Sequence, residues 1–300
     1  MELRDLRIYC DLVETGSFSR AAERNFISQS AVSQRLRVME NEFGSTFLER
    51  KKGKGRAITT EAGKILYEMG KRIAQDAMDL ETALRGFTED VAGPVRVATV
   101  YSVGLHALPS KLKPFLTAHP NVNIHLEYSS TDRIYADVLS GSVDLGVVAV
   151  PAFRAGIEIT PFSLEPMTLI CAPEHPFASL TCITLEQLDG CPFLTFDLDI
   201  PTRRLIDEKL KLTGTRPRIV MTFDNIEMIK NLVEIGSGVA LVPAETALRE
   251  VKDGSLVSVP LSEKDAFTRP VGLLTRHSKV KRMAVRALVE ALTSENIINW

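Results

Sequence analysis

The chain has 300 residues, 45% of them hydrophobic and 25% charged, with a formal net charge of −2. That is an ordinary globular composition with room for two domains, and it excludes a collagenous, low-complexity or disulfide-dense chain. The charge is uneven: residues 1–56 hold eleven Lys/Arg against eight Asp/Glu, and the remainder holds 25 against 30. A basic head on an acidic body places any contact with a polyanion on the head.

The opening "MELRDLRIYCDLVETG" is amphipathic and charged, unlike a secretory signal, and no apolar run reaches the roughly eighteen residues of a membrane span. The expectation is a cytoplasmic protein without a membrane partner. The four cysteines, Cys10, Cys171, Cys182 and Cys191, form no C-x-x-C pair, so reduced and mostly buried thiols are expected. Cys182 and Cys191 as a redox pair is the alternative, but no basic residue flanks either thiol to lower its pKa.

Apolar residues at Leu3, Leu6, Ile8/Tyr9 and Leu12/Val13 give a first helix that ends at Thr15-Gly16. Ser17 can cap a second, "FSRAAERNF", whose Ala21 and Ala22 allow a close helix contact. A third follows Ser28 and carries two stripes. Val32, Leu36, Met39 and Phe43 form a core face, while Ser30, Ser33, Gln34 and Arg37 lie opposite, with Gln29 in the first turn. A row of Ser and Gln on a helix suits base edges in a DNA major groove, and Arg suits guanine or phosphate. Beyond it, Arg50, Lys51, Lys52, Lys54 and Arg56 make five of seven residues basic, with two glycines between. Directly after such a helix the run reads as a wing on the phosphate backbone; in isolation a surface charge run or a localisation signal would be preferred.

A long helix is expected from about Thr60 to Phe87, with Leu66, Met69, Ile73, Leu80, Leu84 and Phe87 near a heptad spacing. Its seam calls for a partner helix from a second subunit; packing on its own domain is the alternative. Gly93-Pro94 breaks it. Strand and helix then alternate: "VRVATV", "LPSKLKPFLTAHP", "VNIHLEYS", "RIYADVLSGS" and "VDLGVVAV" spell βαβαβ with a parallel sheet. "MTLICAP", "CPFLTF", "RIVMTF" and "GVALVP" supply strands of a second lobe, and "VGLLTRH" with "VKRMAVRALVEALTSENIINW" a last strand and helix.

The segments "GSFSRAAERNFISQSAVSQRLRVMENEFGSTFLER", "ITTEAG", "LPSKLKPFLTAHPNVNIHLEY", "LSGSVDLGVV" and "NLVEIGSGVALVP", in this order, resemble LysR-type transcriptional regulators along the whole chain. The resemblance implies an α/β protein in three parts. Residues 1–59 would be a winged helix-turn-helix and 60–92 a dimerising linker helix. Residues 93–300 would be a two-lobed, periplasmic-binding-protein-like effector domain, with lobe I at 93–164 and 268–300 and lobe II at 165–267. It further implies promoter DNA and a small-molecule effector as partners, a homodimer through the linker helix, assembly as a homotetramer, and RNA polymerase as a candidate contact. The sequence departs from the family at Ser30, often Pro, and at Gln34, commonly Arg, so a favoured guanine contact is given up. Arg35 lies off the readout stripe and is expected on a phosphate or within the molecule.

In two-lobed α/β modules the ligand sits at the carboxyl ends of the strands. With the resemblance, this selects Tyr101, Ser102 and Val103, then Ser129, Ser130 and Thr131, then Val150 and Pro151 in the first lobe. From the second come Asp199, Thr202, Arg203 and Asn225. Helix capping is the plainer role for Ser102 and Thr202, and Asp224 with Glu227 matches a capping box. Hydroxyls, helix N-termini and one Arg suggest a small carboxylate or inorganic oxyanion, while Asp197 and Asp199 disfavour a highly charged one. No nucleophile elbow, phosphate loop, G-x-G-x-x-G or Cys/His metal spacing is present, and His106, His119, His125, His175 and His277 are scattered. Neither an enzyme, a resident cofactor nor a metal is expected.

Overall fold

The computed structural model describes residues 1–50, 57–85, 91–277 and 282–293. They fall into two compact units, one starting at Met1 and the other at Val91.

In the N-terminal unit, α1 (Leu3–Thr15), α2 (Phe18–Arg24) and α3 (Gln29–Phe43) are separated by turns whose chemistry is local. Gly16 closes α1 at φ 59°, a left-handed conformation that costs glycine nothing. Ser17 Oγ accepts from the Arg20 N–H, and Ser28 Oγ accepts from the Ala31 N–H, so both following helices are capped. The apolar stripes meet in one core of Ile8, Tyr9, Leu12, Ala21, Ala22, Val32, Leu36 and Met39. Phe43, expected on this face, is half exposed. The helix stops at Gly44, and the returning chain puts Phe47 into the core instead, edge-on to Tyr9.

β1 (Leu48–Arg50) and β2 (Ala57–Thr59) pair antiparallel as the base of a hairpin. Lys51, Lys52, Lys54 and Arg56, the expected wing, lie outside the described residues. α4 (Glu61–Arg85) follows, with the Gly63 N–H donating to Thr60 Oγ1 at 3.0 Å. Its start belongs to the head. Leu66 and Tyr67 pack on the head core, Tyr9 donates to the Gly63 carbonyl at 3.0 Å, and Lys71 Nζ meets Glu14 at 2.9 Å. Leu66, whose spacing suggested the subunit seam, is therefore a head residue. Ile65, Met69, Ile73 and Leu80 remain exposed by 46–60%. Phe87 and the side chain of Leu84 are outside the described residues.

The second unit begins with β3 (Gly93–Thr99), α5 (Tyr101–Gly104), α6 (Ala107–Ala118), β4 (Val122–Tyr128), α7 (Thr131–Ser140) and β5 (Leu145–Ala149). It continues through β6 (Ile157–Cys171), β7 (Pro192–Phe196), α8 (Pro201–Leu212), β8 (Arg218–Phe223), α9 (Ile226–Glu234) and β9 (Ala240–Pro243). Last come α10 (Leu248–Asp253), β10 (Val257–Pro260), β11 (Thr268–Arg276) and α11 (Met283–Thr293). The main sheet has the order β10-β6-β11-β5-β3-β4, with β9 also on β6. β3 is parallel to β4 and β5, as is β7 to β8, whereas β11 runs antiparallel to both β5 and β6. The sheet is mixed, and the expected parallel arrangement holds only within those subsets. β6 starts well before the "MTLICAP" segment that marked it in the sequence.

Two apolar cores result. Phe162 and Val271 belong to the first, Met167 and Phe267 to the second, so β6 and β11 cross from one lobe to the other between these residues. At the crossing Glu165 stands opposite Arg269 in register, 2% and 1% exposed. Arg269 donates from Nε to Glu165 Oε2 at 2.8 Å and from Nη2 to the same oxygen. Removing one partner of a buried pair leaves an uncompensated charge at a cost of about 3–5 kcal/mol, whereas replacing both by apolar groups is close to neutral. Arg269→Met is expected to lower the unfolding free energy of the full chain by that amount, read by urea denaturation. Adding Glu165→Leu is expected to recover most of it. A single variant as stable as the wild type would show that the crossing does not depend on the pair.

Candidate functional site

On α3 the core face is Val32, Leu36 and Met39, and the residues opposite are open to solvent. Gln29, Ser30, Gln34 and Arg37 are exposed and Ser33 is half buried. Ser28 Oγ and Ser30 Oγ lie 2.8 Å apart, and Ser19 Oγ donates to Gln29 Oε1 at 3.2 Å, while the Gln29 amide N–H groups have no acceptor among the described residues. Arg35 turns inward to Asp5 of α1, resolving its role as an intramolecular one. Arg50 ends β1. Sequence reasoning passed over Phe26, which sits in the turn before α3 at φ 54° and is 95% exposed. Its sequence context offered no apolar period to mark it as a surface residue.

In the second unit a cavity of 530 Å³ opens where the two lobes face each other. It brings together Tyr101, Ser102, Ser129, Ser130, Thr131 and Val150 from the first lobe with Asp199 and Thr202 from the second. Tyr101 stacks on Tyr128 with ring centres 4.8 Å apart, an approach allowed because residue 104 is glycine. A Cβ there would lie 2.6 Å from Tyr128 Cε1. Val150 adopts φ 49°, a strained conformation for a β-branched residue, with its N–H held by the Pro270 carbonyl at 2.7 Å.

Ser102 and Thr202 do not cap their helices. They are the second residues of α5 and α8, behind Val100 and Ile200 as N-caps, and both hydroxyls point at Arg269. Arg269 Nη1 donates to Ser102 Oγ at 3.0 Å and to Thr202 Oγ1 at 3.4 Å. One buried guanidinium thus holds Glu165 and a hydroxyl from each lobe. A lone Arg and a lone Glu beside the apolar runs of "TRPVGLL" and "LEPMTLI" were the signal that sequence reading left unused.

Four expected cleft residues are off the cavity wall, and Pro151 among them packs over Gly272. Val103 is buried in the first core. Arg203 is turned inward, donating from Nε to Asp207 at 2.8 Å and from Nη1 to the Phe196 carbonyl at 2.8 Å, while Arg204 faces the cavity. Asn225 is the N-cap of α9, its Oδ1 accepting from the Glu227 N–H. The proposed Asp224–Glu227 capping box is replaced by this contact, and Glu227 instead meets His106 at 3.0 Å and Lys230 at 3.0 Å. His106 therefore has the carboxylate partner that its sequence surroundings did not reveal. Lys230, 1% exposed, also holds Glu250 at 2.9 Å and the Thr246 carbonyl. Burial works against the charge of Glu250, but the Lys230 hydrogen bond keeps its carboxyl below the usual range.

Burial pushes the Cys10 thiol up to about 12 and that of Cys171 to about 11, so neither is a nucleophile at neutral pH. Cys191 is raised for the same reason, and Cys182 is exposed. Among the described residues no group of His, Cys, Asp and Glu could hold a metal ion, and no helix is long and apolar enough to cross a membrane.

Comparison with known proteins agrees with this layout. The family signature described as "Bacterial regulatory helix-turn-helix protein, lysR family" matches residues 3–64, and that of the "LysR substrate binding domain" matches residues 88–296. A probable RuBisCO transcriptional regulator of Nostoc sp. is 31% identical over 97% of this chain and 87% of its own length. Among solved structures, full-length OxyR C199D from Pseudomonas aeruginosa superposes with a TM-score of 0.79 at 22% identity, covering 98% of this chain and 95% of that one. Full-length CbnR complexed with its target DNA gives 0.72 at 21% identity, covering 99% and 100%. These relatives are regulators and not enzymes. The chain belongs to the LysR family: it is a DNA-binding transcriptional regulator with a helix-turn-helix head and an effector-binding domain.

Proposed function

We propose that this regulator reads a specific promoter sequence through α3 and adjusts that binding when a small molecule bearing a carboxylate or similar oxyanion enters the cleft between its lobes. The observation that carries the first half is the division of α3: one face is sealed into the head core, and the other presents Gln29, Ser30, Ser33, Gln34 and Arg37. Exposed amides and hydroxyls on the first turns of a helix match base edges in the major groove, with the wing lysines on phosphate. The second half is supported by Ser102 and Thr202, one from each lobe, which line the cavity and are held from behind by one buried guanidinium. The protein acts where promoter DNA is, in the cytoplasm, and RNA polymerase is the partner through which transcription would respond.

A homodimer through α4 is supported by Ile65, Met69, Ile73 and Leu80, which leave an apolar stripe along its exposed face. Pairing of two such dimers into a tetramer is the further expectation from the family.

Gln29→Ala is expected to weaken binding to a site selected from a randomised duplex pool by about 1–3 kcal/mol while leaving random DNA nearly unchanged. Removing Lys51 or Lys54 is expected to weaken both and to reduce the salt slope by about one per residue. Equal losses on selected and random DNA for Gln29→Ala, in fluorescence anisotropy titrations, would refute the readout role.

Placing two charges on the stripe, Met69→Asp with Ile73→Asp, is expected to halve the mass seen by light scattering at micromolar concentration. Retention of the wild-type mass would place the subunit contact elsewhere.

A further inference from the structure

The charges around the cavity bear on which molecule it accepts. In the first lobe they cancel, because Asp132 and Arg154 form an ion pair with the guanidinium laid 4.2 Å over the Tyr135 ring. Behind the cavity wall, Arg269 is compensated by Glu165. In the second lobe they do not cancel. Asp199, Glu208 and Asp224 line the cavity at its solvent-exposed side, without a hydrogen bond or ion pair to any described residue, and Arg204, also exposed, is the one basic residue of this lobe among the described lining. That wall carries three carboxylates against one guanidinium.

The hydroxyls supply an independent demand. Ser102 is 8% exposed and Thr202 2%, and both line the cavity. Arg269 can only donate, so it occupies a lone pair on each oxygen, and the two hydroxyl protons have no acceptor among the described residues. A buried donor left without a partner is costly, so these two protons call for an acceptor inside the cavity. The two hydroxyls therefore ask for an acceptor oxygen while the second lobe repels net negative charge.

We infer that the effector is zwitterionic, an amino-carboxylate whose carboxylate accepts from Ser102 and Thr202 and whose ammonium faces Asp199, Glu208 and Asp224. This rests on the cleft reading above and narrows it. An inorganic dianion such as sulfate satisfies the hydroxyls but meets three carboxylates with one unpaired guanidinium, and a plain carboxylate leaves the acidic wall without a counter-charge. The 530 Å³ cavity is in the size range of small-ligand sites and has room for an amino acid with its side chain.

The test is a thermal-shift series on the full chain with the common L-amino acids, their N-acetyl derivatives, and acetate, succinate and sulfate. At least one amino acid is expected to raise the melting temperature, on the order of 5–10 °C at one hundred times its Kd. Its N-acetyl derivative is expected to bind about tenfold more weakly or worse. The double variant Asp199→Asn/Asp224→Asn should keep the unliganded melting temperature and lose this preference for the free amine. The inference is overturned if no amino acid shifts the protein, if an amine-free anion binds as well as the matched amino acid, or if the double variant keeps the preference. The variants Ser102→Ala and Thr202→Ala separate the two levels. A hit that both abolish, but that is indifferent to the amine, refutes the zwitterion alone. A hit that neither affects refutes the cleft reading itself.

Discussion

The ion pair between Glu165 and Arg269 is the constraint on which the second unit is arranged. It lies where β6 and β11 leave one core and enter the other, so the strands that join the lobes are fastened at the midpoint of their crossing. A guanidinium with five fixed donors suits such a place better than an ammonium, since it can serve a carboxylate and two hydroxyls without moving. The pair contributes little net stability compared with an apolar replacement. What it provides is orientation: Ser102 and Thr202 are turned so that their oxygens face the Arg269 guanidinium, and the first turns of α5 and α8 are held toward the same point. The lining of the cleft follows from that arrangement.

The head is governed by a different economy. Its core is small, and local chemistry sets where its helices begin and end: Gly16, Ser17, Ser28 and Gly44 each fix one helix end. The start of α4 completes that core through Leu66 and Tyr67, so the long helix is anchored to the head on one face, while Ile65, Met69, Ile73 and Leu80 are exposed on another. Head-facing and exposed residues share the same turns of this helix, since Lys71 still meets Glu14 between exposed Met69 and Ile73.

Much of this was legible before any coordinates. Caps and apolar periods located α1, α2 and α3, because these depend on neighbours within four residues. The carboxyl ends of β3, β4 and β5 located the cleft, because the topology of alternating strands and helices dictates it. What stayed hidden depends on distant residues. Arg269 and Glu165 are separated by 104 positions, and nothing local marks them as partners. Arg203 and Arg204 are adjacent, and only the phase of α8 decides which enters the cavity. Phe43 fitted its stripe as well as Met39 did, yet the turn at Gly44 brought in a competitor, Phe47, that no helical period could announce.

The position of β11 in the main sheet has a consequence for how the protein is made. Strand β11 lies between β5 and β6, so the first lobe is assembled from the earliest and the latest segments of the domain. During vectorial synthesis β3, β4 and β5 emerge with a bare sheet edge, and the second lobe, nearly continuous in sequence, is complete before the strand that covers this edge has left the ribosome. The waiting edge is Leu145–Ala149, buried along its whole length in the finished protein. An apolar edge left open over the translation of more than a hundred residues is the segment a chaperone would have to shield, and it makes the first lobe the last part of the chain to become native.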